Sequence, residues 1–282
     1  MATITEKVRD TLVRAGSTFR EDQKEAYRQA IKGETNEQAK WTMESILENA
    51  EVAQQTEGPL CDDTGIPHLI LEMGPGRVLS GKMLSEIYEG IRQGLRKLPG
   101  RPMAVKGEEK QRIEQAEGLY EDPAMLVPAP LMLRYIEEDV IRLTVIMQGG
   151  GPEIRAKTYR VFHRHSMDTV KDEIISWAKA EVVNLGCTPC NLAVGIGRSH
   201  YEASSMMLQA MAESQFGCMD ELEQEITDRV NETAVGPLGL GGGMTVLSTF
   251  VKIGPQRASG VRIVCLRPCC CFEPRKASVI LS

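Results

Sequence analysis

No apolar run in the sequence approaches the roughly 18 residues that a membrane-spanning helix needs, and Met1–Phe19 carries charges where a secretory leader needs an apolar centre. Membrane residence is therefore not expected, and a cytoplasmic location is. Basic charge is also in deficit. A net charge of -6 argues against nucleic acid as the main partner. Internal repeats and low-complexity tracts are missing as well. Two familiar nucleotide signatures are incomplete: Gly195-Ile196-Gly197-Arg198-Ser199 has His200 at the third glycine position, and Gly236–Gly243 lacks the Lys-Ser/Thr ending of a phosphate loop.

Cysteine, by contrast, is plentiful. There are eight: Cys61, Cys187, Cys190, Cys218, Cys265, Cys269, Cys270 and Cys271. A disulfide framework suits small secreted chains with weak cores, and 282 residues are enough to bury a substantial core. In a reducing compartment clustered thiols point to metal, redox chemistry or buried packing.

The most concentrated chemistry lies in Leu60–His68, where Cys61, Asp62, Asp63 and Thr64 stand between Pro59, Gly65 and Pro67. Those breakers forbid a regular helix, so the side chains sit on a turn held by the apolar strand Leu69–Met73. Three helices are expected before it, at Glu6–Ala15, Glu21–Ile31 and Asn36–Glu57, with Asn36 as a cap. After it, Ser80 caps a helix that runs to Leu98 and is stopped by Pro99-Gly100-Arg101-Pro102. The charged stretch Gly107–Gly118 reads as solvated. Leu131–Ile136 and Val140–Met147 suit a β-hairpin around Glu137-Glu138-Asp139. Next, Gly149-Gly150-Gly151 gives a loop able to turn backbone N–H groups toward an anion.

Asp168–Leu185 forms a further helix, the strand Leu192–Ile196 follows Cys187–Cys190, and one long helix is expected from Tyr201 to Asn231. Strands at Met244–Val251, Val261–Val264 and Ser278–Leu281 complete the sheet. The expected class is α/β: a helical N-terminal part, residues 1–57, then a mixed sheet flanked by helices, residues 58–282, in a single domain.

Cys187-Thr188-Pro189-Cys190 is a C-x-x-C, but it ends a helix and precedes a strand, the reverse of a thioredoxin-like pair. Structural zinc wants a second close pair, and Cys269-Cys270-Cys271 is contiguous. Thiols distant in sequence, one from each turn, offer a third reading: three thiolates leave one iron of a cubane cluster open to a hydroxyl. Spacing alone leaves these alternatives open.

The turn at Cys61–Gly65, the Gly149–Glu153 loop, the Gly186–Gly197 segment, the Gly236–Gly243 loop and the end at Cys271–Lys276 resemble, in order, the motifs of the iron-sulfur hydro-lyases that include class I fumarases and L-tartrate dehydratase. The resemblance covers Cys61 to the C-terminus. It implies a 4Fe-4S cluster held by Cys61, Cys187 and Cys271, the last matched by Cys271-Phe272-Glu273-Pro274-Arg275-Lys276, with Cys269 and Cys270 as competitors. Packing is expected for Cys190, Cys218 and Cys265.

The implied reaction removes water from a small 2-hydroxy dicarboxylate. Arg101 resembles the family's substrate-binding arginine, Asp63 matches an aspartate placed near substrate and is expected to orient or exchange a proton, and Asp62, Gly150, Gly151 and Glu153 complete the expected substrate contacts. A β subunit is the implied partner, in a hetero-oligomer, because the chain ends soon after the Cys271 motif.

Four departures separate the sequence from a fumarase. Asp62 stands where the family usually has Gln, Glu117–Glu121 replaces an Asn-Thr-Gly type segment, Gln256 aligns with a histidine, and the stretch before Cys271 is longer than usual. The competing reading is a non-catalytic metal- or cluster-binding module that is structural or senses oxygen or iron.

Overall fold

The computed structural model describes residues 2–98, 100–101 and 103–282. The expected stops Pro99 and Pro102 lie outside the described residues. Helices α1 (Ile4–Ser17), α2 (Glu21–Gly33) and α3 (Glu37–Thr56) open the chain. Thr3 and Glu6 form a reciprocal capping box on α1, and Asn36 Oδ1 accepts from the N–H groups of Gln38 and Ala39 at 3.0 and 3.1 Å, as its residue type predicts. Strand β1 (Ile66–Met73), helices α4 (Gly81–Lys97) and α5 (Glu109–Glu114), and strands β2 (Met132–Tyr135) and β3 (Ile141–Gln148) follow. Ser80 caps α4 by accepting from Met83 N at 3.1 Å.

The remainder is α6 (Gly150–Arg155), β4 (Lys157–Phe162), α7 (Met167–Val182), β5 (Cys190–Gly197), α8 (His200–Glu213), α9 (Glu221–Asn231), β6 (Val246–Ile253), β7 (Val261–Cys269) and β8 (Arg275–Ile280). The α/β class is as expected, with two four-stranded mixed sheets in place of one.

The chain divides into two compact units. The first comprises Met1–Thr18, Ala50–Gly149 and Arg275–Ser282. Its sheet runs β2-β1-β3-β8, with β1 parallel to β2 and antiparallel to β3. The expected β2/β3 hairpin therefore does not form: β1, whose Leu69-Ile70-Leu71 run is almost fully buried, inserts between the two strands. Strand β1 also begins at Ile66, so Ile66 and Pro67 belong to the sheet and the turn is shorter than expected. Val8, Leu12, Ile87, Ile91, Leu71, Leu143 and Val145 form the core between α1, α4 and the sheet.

The second unit comprises Phe19–Asn49 and Gly150–Pro274, with sheet order β4-β7-β5-β6. Its core gathers Ile174, Ala178, Leu192, Val194, Ile226, Val246 and Val264. Strand β5 is buried along its whole length, as its apolar run predicts. The single long helix expected from Tyr201 to Asn231 is two. The chain leaves α8 at Ser214, turns through Gly217 at φ 75°, and restarts where Asp220 and Glu223 form a capping box.

Candidate active site

In the first unit, the Cys61–Gly65 turn is packed from behind by backbone and by one buried guanidinium. Gly65 has φ 87°, and any Cβ there would stand 2.7 Å from the Gln148 carbonyl and 2.8 Å from Arg275 Nη2. Glycine is required at this point. Arg275, the first residue of β8, is 1% exposed and donates from Nη1 to the Asp63 carbonyl at 2.8 Å. Gly149 marks how close the neighbouring groups come: a Cβ there would lie 3.2 Å from Asp63 Oδ2 and 3.3 Å from Arg275 Nη2. Cys61 is partly exposed. Arg101 Nη1 lies 3.5 Å from Asp62 Oδ2, an exposed pair that sets a cation beside an acceptor-only carboxylate. Thr64 is 3% exposed, packs its hydroxyl against Gly100, and among the described residues has no hydrogen-bond partner for Oγ1. Of the predicted site residues, Cys61, Asp62, Asp63 and Arg101 thus belong to one unit.

In the second unit, two cysteines distant in sequence are joined through the backbone: Cys271 N donates to Cys187 O at 2.9 Å. Cys187 is exposed and Cys271 buried. The Gly236–Gly243 loop rests on the same segment. Thr188 Oγ1 donates to Gly236 O at 2.5 Å, and Thr188 O accepts from Leu238 N at 2.9 Å. Glu34 Oε2 accepts from Gly243 N at 2.9 Å and anchors the far end of that loop. From α2, Tyr27 donates its hydroxyl to Cys271 O at 2.8 Å, and Gln23 Nε2 reaches Phe272 O at 3.4 Å. Burial, and then the Cys271, Cys270 and Cys190 thiols, push the Tyr27 phenol well above its usual range, so it stays a donor.

Beneath this turn lies a buried ion pair. Arg267 and Glu273 are both 0% exposed and paired, Arg267 Nε reaches Glu153 Oε2 at 3.2 Å, and Arg267 Nη1 lies 3.5 Å from Cys269 Sγ. Asn191 Nδ2 donates to Glu273 O at 2.6 Å. Burial lowers the pKa of Arg267, but Glu273 and Cys269 outweigh it and hold the guanidinium charged. Burial likewise pushes the Cys269 thiol well above its usual range, with Arg267 opposing. Glu153 therefore engages this buried arginine. Gly150 and Gly151 open α6 rather than a free loop.

None of the eight cysteines, all among the described residues, forms a disulfide. Cys190 and Cys265 are buried as expected, but Cys218 is exposed in the turn between α8 and α9. Among the described residues, no three His, Cys, Asp or Glu side chains gather closely enough to hold a single metal ion. Tyr27, Gln23, Glu34, Arg267 and Arg275 escaped the sequence reading. Only Arg275 left a trace there, as part of the basic pair that follows Cys271.

Comparison with known proteins gives these motifs a common origin, since residues 5–280 match the family described as Fumarate hydratase (Fumerase). The chain belongs to the fumarate hydratase family. That makes it a hydro-lyase. Its relatives include a protein of Methanocaldococcus jannaschii provisionally named L(+)-tartrate dehydratase subunit alpha, 26% identical over 271 residues that cover 91% of this chain and 90% of the relative. The L(+)-tartrate dehydratase subunit alpha of Escherichia coli K12 is 21% identical over 272 residues, covering 94% and 87%. The same protein from Shigella boydii serotype 4 matches to the same extent. The family match takes in α1 to β8, well upstream of Cys61, where the motif resemblance begins.

Proposed function

We propose that residues 1–282 form the α-type catalytic subunit of a 4Fe-4S hydro-lyase that reversibly dehydrates a small 2-hydroxy dicarboxylate, malate-like or tartrate-like, together with a β-type partner. The observation that carries this reading is the backbone bond from Cys271 to Cys187 in a chain of the fumarate hydratase family. The donor set fits the cofactor. Thiolates suit iron-sulfur clusters, and a cubane spreads its ligands over different irons, so they need not converge on one ion. Cys187 and Cys271 would hold the cluster from one unit. Cys61 is the third ligand by its motif.

When bound, such a cluster with three cysteine ligands supplies Lewis acidity toward a hydroxyl. The chain's own residues do the rest. Arg101 takes a substrate carboxylate through paired donors, and the nearby Asp62 accepts from a hydroxyl, so this corner recognises an acid that carries both groups. Asp63 orients the substrate or moves its proton at Oδ2. Glu153, tied to buried Arg267, contributes a fixed polar neighbour, and the amides of Gly150 and Gly151 complete the contacts.

The test is anaerobic purification with iron and sulfide analysis, followed by assays on malate, fumarate and tartrate with the partner present. Substrate should perturb the iron spectrum, and Cys187→Ala or Cys271→Ala should abolish iron retention. Wild-type chain that holds no iron under these conditions, or iron indifferent to substrate, contradicts the reading.

A further inference from the structure

Asp63 is half-buried on the turn beside exposed Asp62, which pairs with Arg101 from the segment after α4, and its own backbone is fixed from the interior. The fixing group is a guanidinium with almost no access to water. A charge so buried is costly unless its donors are used and negative partners stand close. Arg275 meets both conditions in part through Asp63. One Nη donates to the Asp63 carbonyl, and the other lies against the Gly149 face that the Asp63 carboxylate also lines. Two close approaches permit this. Gly65, at positive φ, lacks the Cβ that would strike the guanidinium, Gly149 lacks one that would crowd it at 3.3 Å, and Gly65 also leaves room for the Gln148 carbonyl at the end of β3. Strand β8 supplies the rigidity, since Arg275 is paired in register with Met147 of β3.

We propose that Arg275 is the positioning residue of the Asp63 carboxylate. Its planar fork grips the Asp63 peptide from behind and stands beside the carboxylate, so that the turn presents Oδ2 in one orientation. This rests on the reading of Asp63 as the proton-handling group of a hydro-lyase. Lysine cannot replace it. A single ammonium cannot hold the carbonyl and flank the carboxylate in one fixed plane. Arg275 itself, buried behind the turn, acts through Asp63 and does not touch the substrate.

The experiment compares wild type, Arg275→Ala and Arg275→Lys, each assembled anaerobically with the partner subunit. It reads kcat and KM separately, and hydrogen exchange by mass spectrometry on the full chain. Arg275→Ala is expected to lose about 100-fold in kcat with KM nearly unchanged, the size of a misplaced catalytic group. Added guanidinium chloride, but not ammonium chloride, should restore much of the loss, and Arg275→Lys should recover little. Exchange should quicken at residues 61–66, return toward wild type with guanidinium, and stay unchanged along β8.

A KM rise that accounts for the whole loss would make Arg275 a substrate ligand and overturn the proposal. So would faster exchange throughout β8, or kcat within about threefold of wild type. If the wild-type complex dehydrates no hydroxy acid, the proposed function fails, and the exchange arm then decides on its own. Guanidinium-reversible loosening confined to the turn supports the role of Arg275, and its absence overturns it.

Discussion

Glu34 shows how a residue with no motif can govern the site. Its carboxylate accepts from the N–H groups of Thr35, Asn36 and Gly243, each at 2.9 Å. Burial raises its pKa, but the backbone donors of Asn36, Gly243, Thr35 and Met244 together outweigh this and hold it below its ordinary 4.5. A depressed carboxylate stabilises the fold above its unfolded pKa and loses that contribution as pH falls through the folded value. Protection of the Gly243 amide, its exchange measured against the intrinsic rate at each pH, should therefore be high and flat above about pH 4.5 and fall only at lower pH. In Glu34→Gln it should be low throughout. A wild-type amide already unprotected at neutral pH would contradict this. Cys61, Asp63, Arg101, Cys187 and Cys271, whose roles in the site are part of the proposal, were legible as candidates because each sits in a short motif that breaks regular structure. Glu34, Tyr27 and Arg267 were not, because an acid after a helix, a tyrosine on an amphipathic face and an arginine in a strand look ordinary until tertiary structure brings their partners.

Local pattern fixes elements more readily than it fixes their neighbours. The caps at Asn36 and Ser80 and the helices α3, α4 and α7 were readable because they depend on residues within a turn or two. The β2/β3 pairing was misread because the segments are adjacent in sequence, while the buried strand β1 gains more by lying between them. The break between α8 and α9 was signalled by Phe216-Gly217 and by the capping box at Asp220, cues outweighed by the surrounding helical periodicity. Helices α1 and α4 pack through glycine: a Cβ at Gly90 would lie 2.6 Å from Val8 Cβ and 2.7 Å from Thr5 O, and one at Gly94 3.0 Å from Leu12 Cβ. Alanine improves helix propensity by about 1 kcal/mol, whereas overpacking costs about 1–3 kcal/mol, so the clash should win. Gly90→Ala is expected to lower the Tm, while Gly33→Ala, with nothing within 4 Å, should not. Equal melting temperatures for the two would show that α1 and α4 pack less closely than these distances require.

At the scale of the whole molecule, the helical N-terminal part contributes to both units. Helix α1 completes the core of the first unit, whereas Tyr27 of α2 reaches the Cys271 turn of the second. No helix among the described residues is long and apolar enough to cross a membrane. The proposed partner sets the prediction here. The chain purified alone should give little turnover on malate or tartrate, and adding a β-type subunit should restore it in steady-state assays. Full activity from the isolated chain would remove the partner from the proposal.

Strand β8 pairs with β3 in register from Arg142–Ile280 to Met147–Arg275, so the first unit draws one strand from residues that follow the second unit in sequence. A ribosome must synthesise the whole second unit before that strand emerges. The first sheet therefore waits, with one side of β3 open, until the second unit has been made, and the growing polypeptide is most exposed to aggregation in that interval.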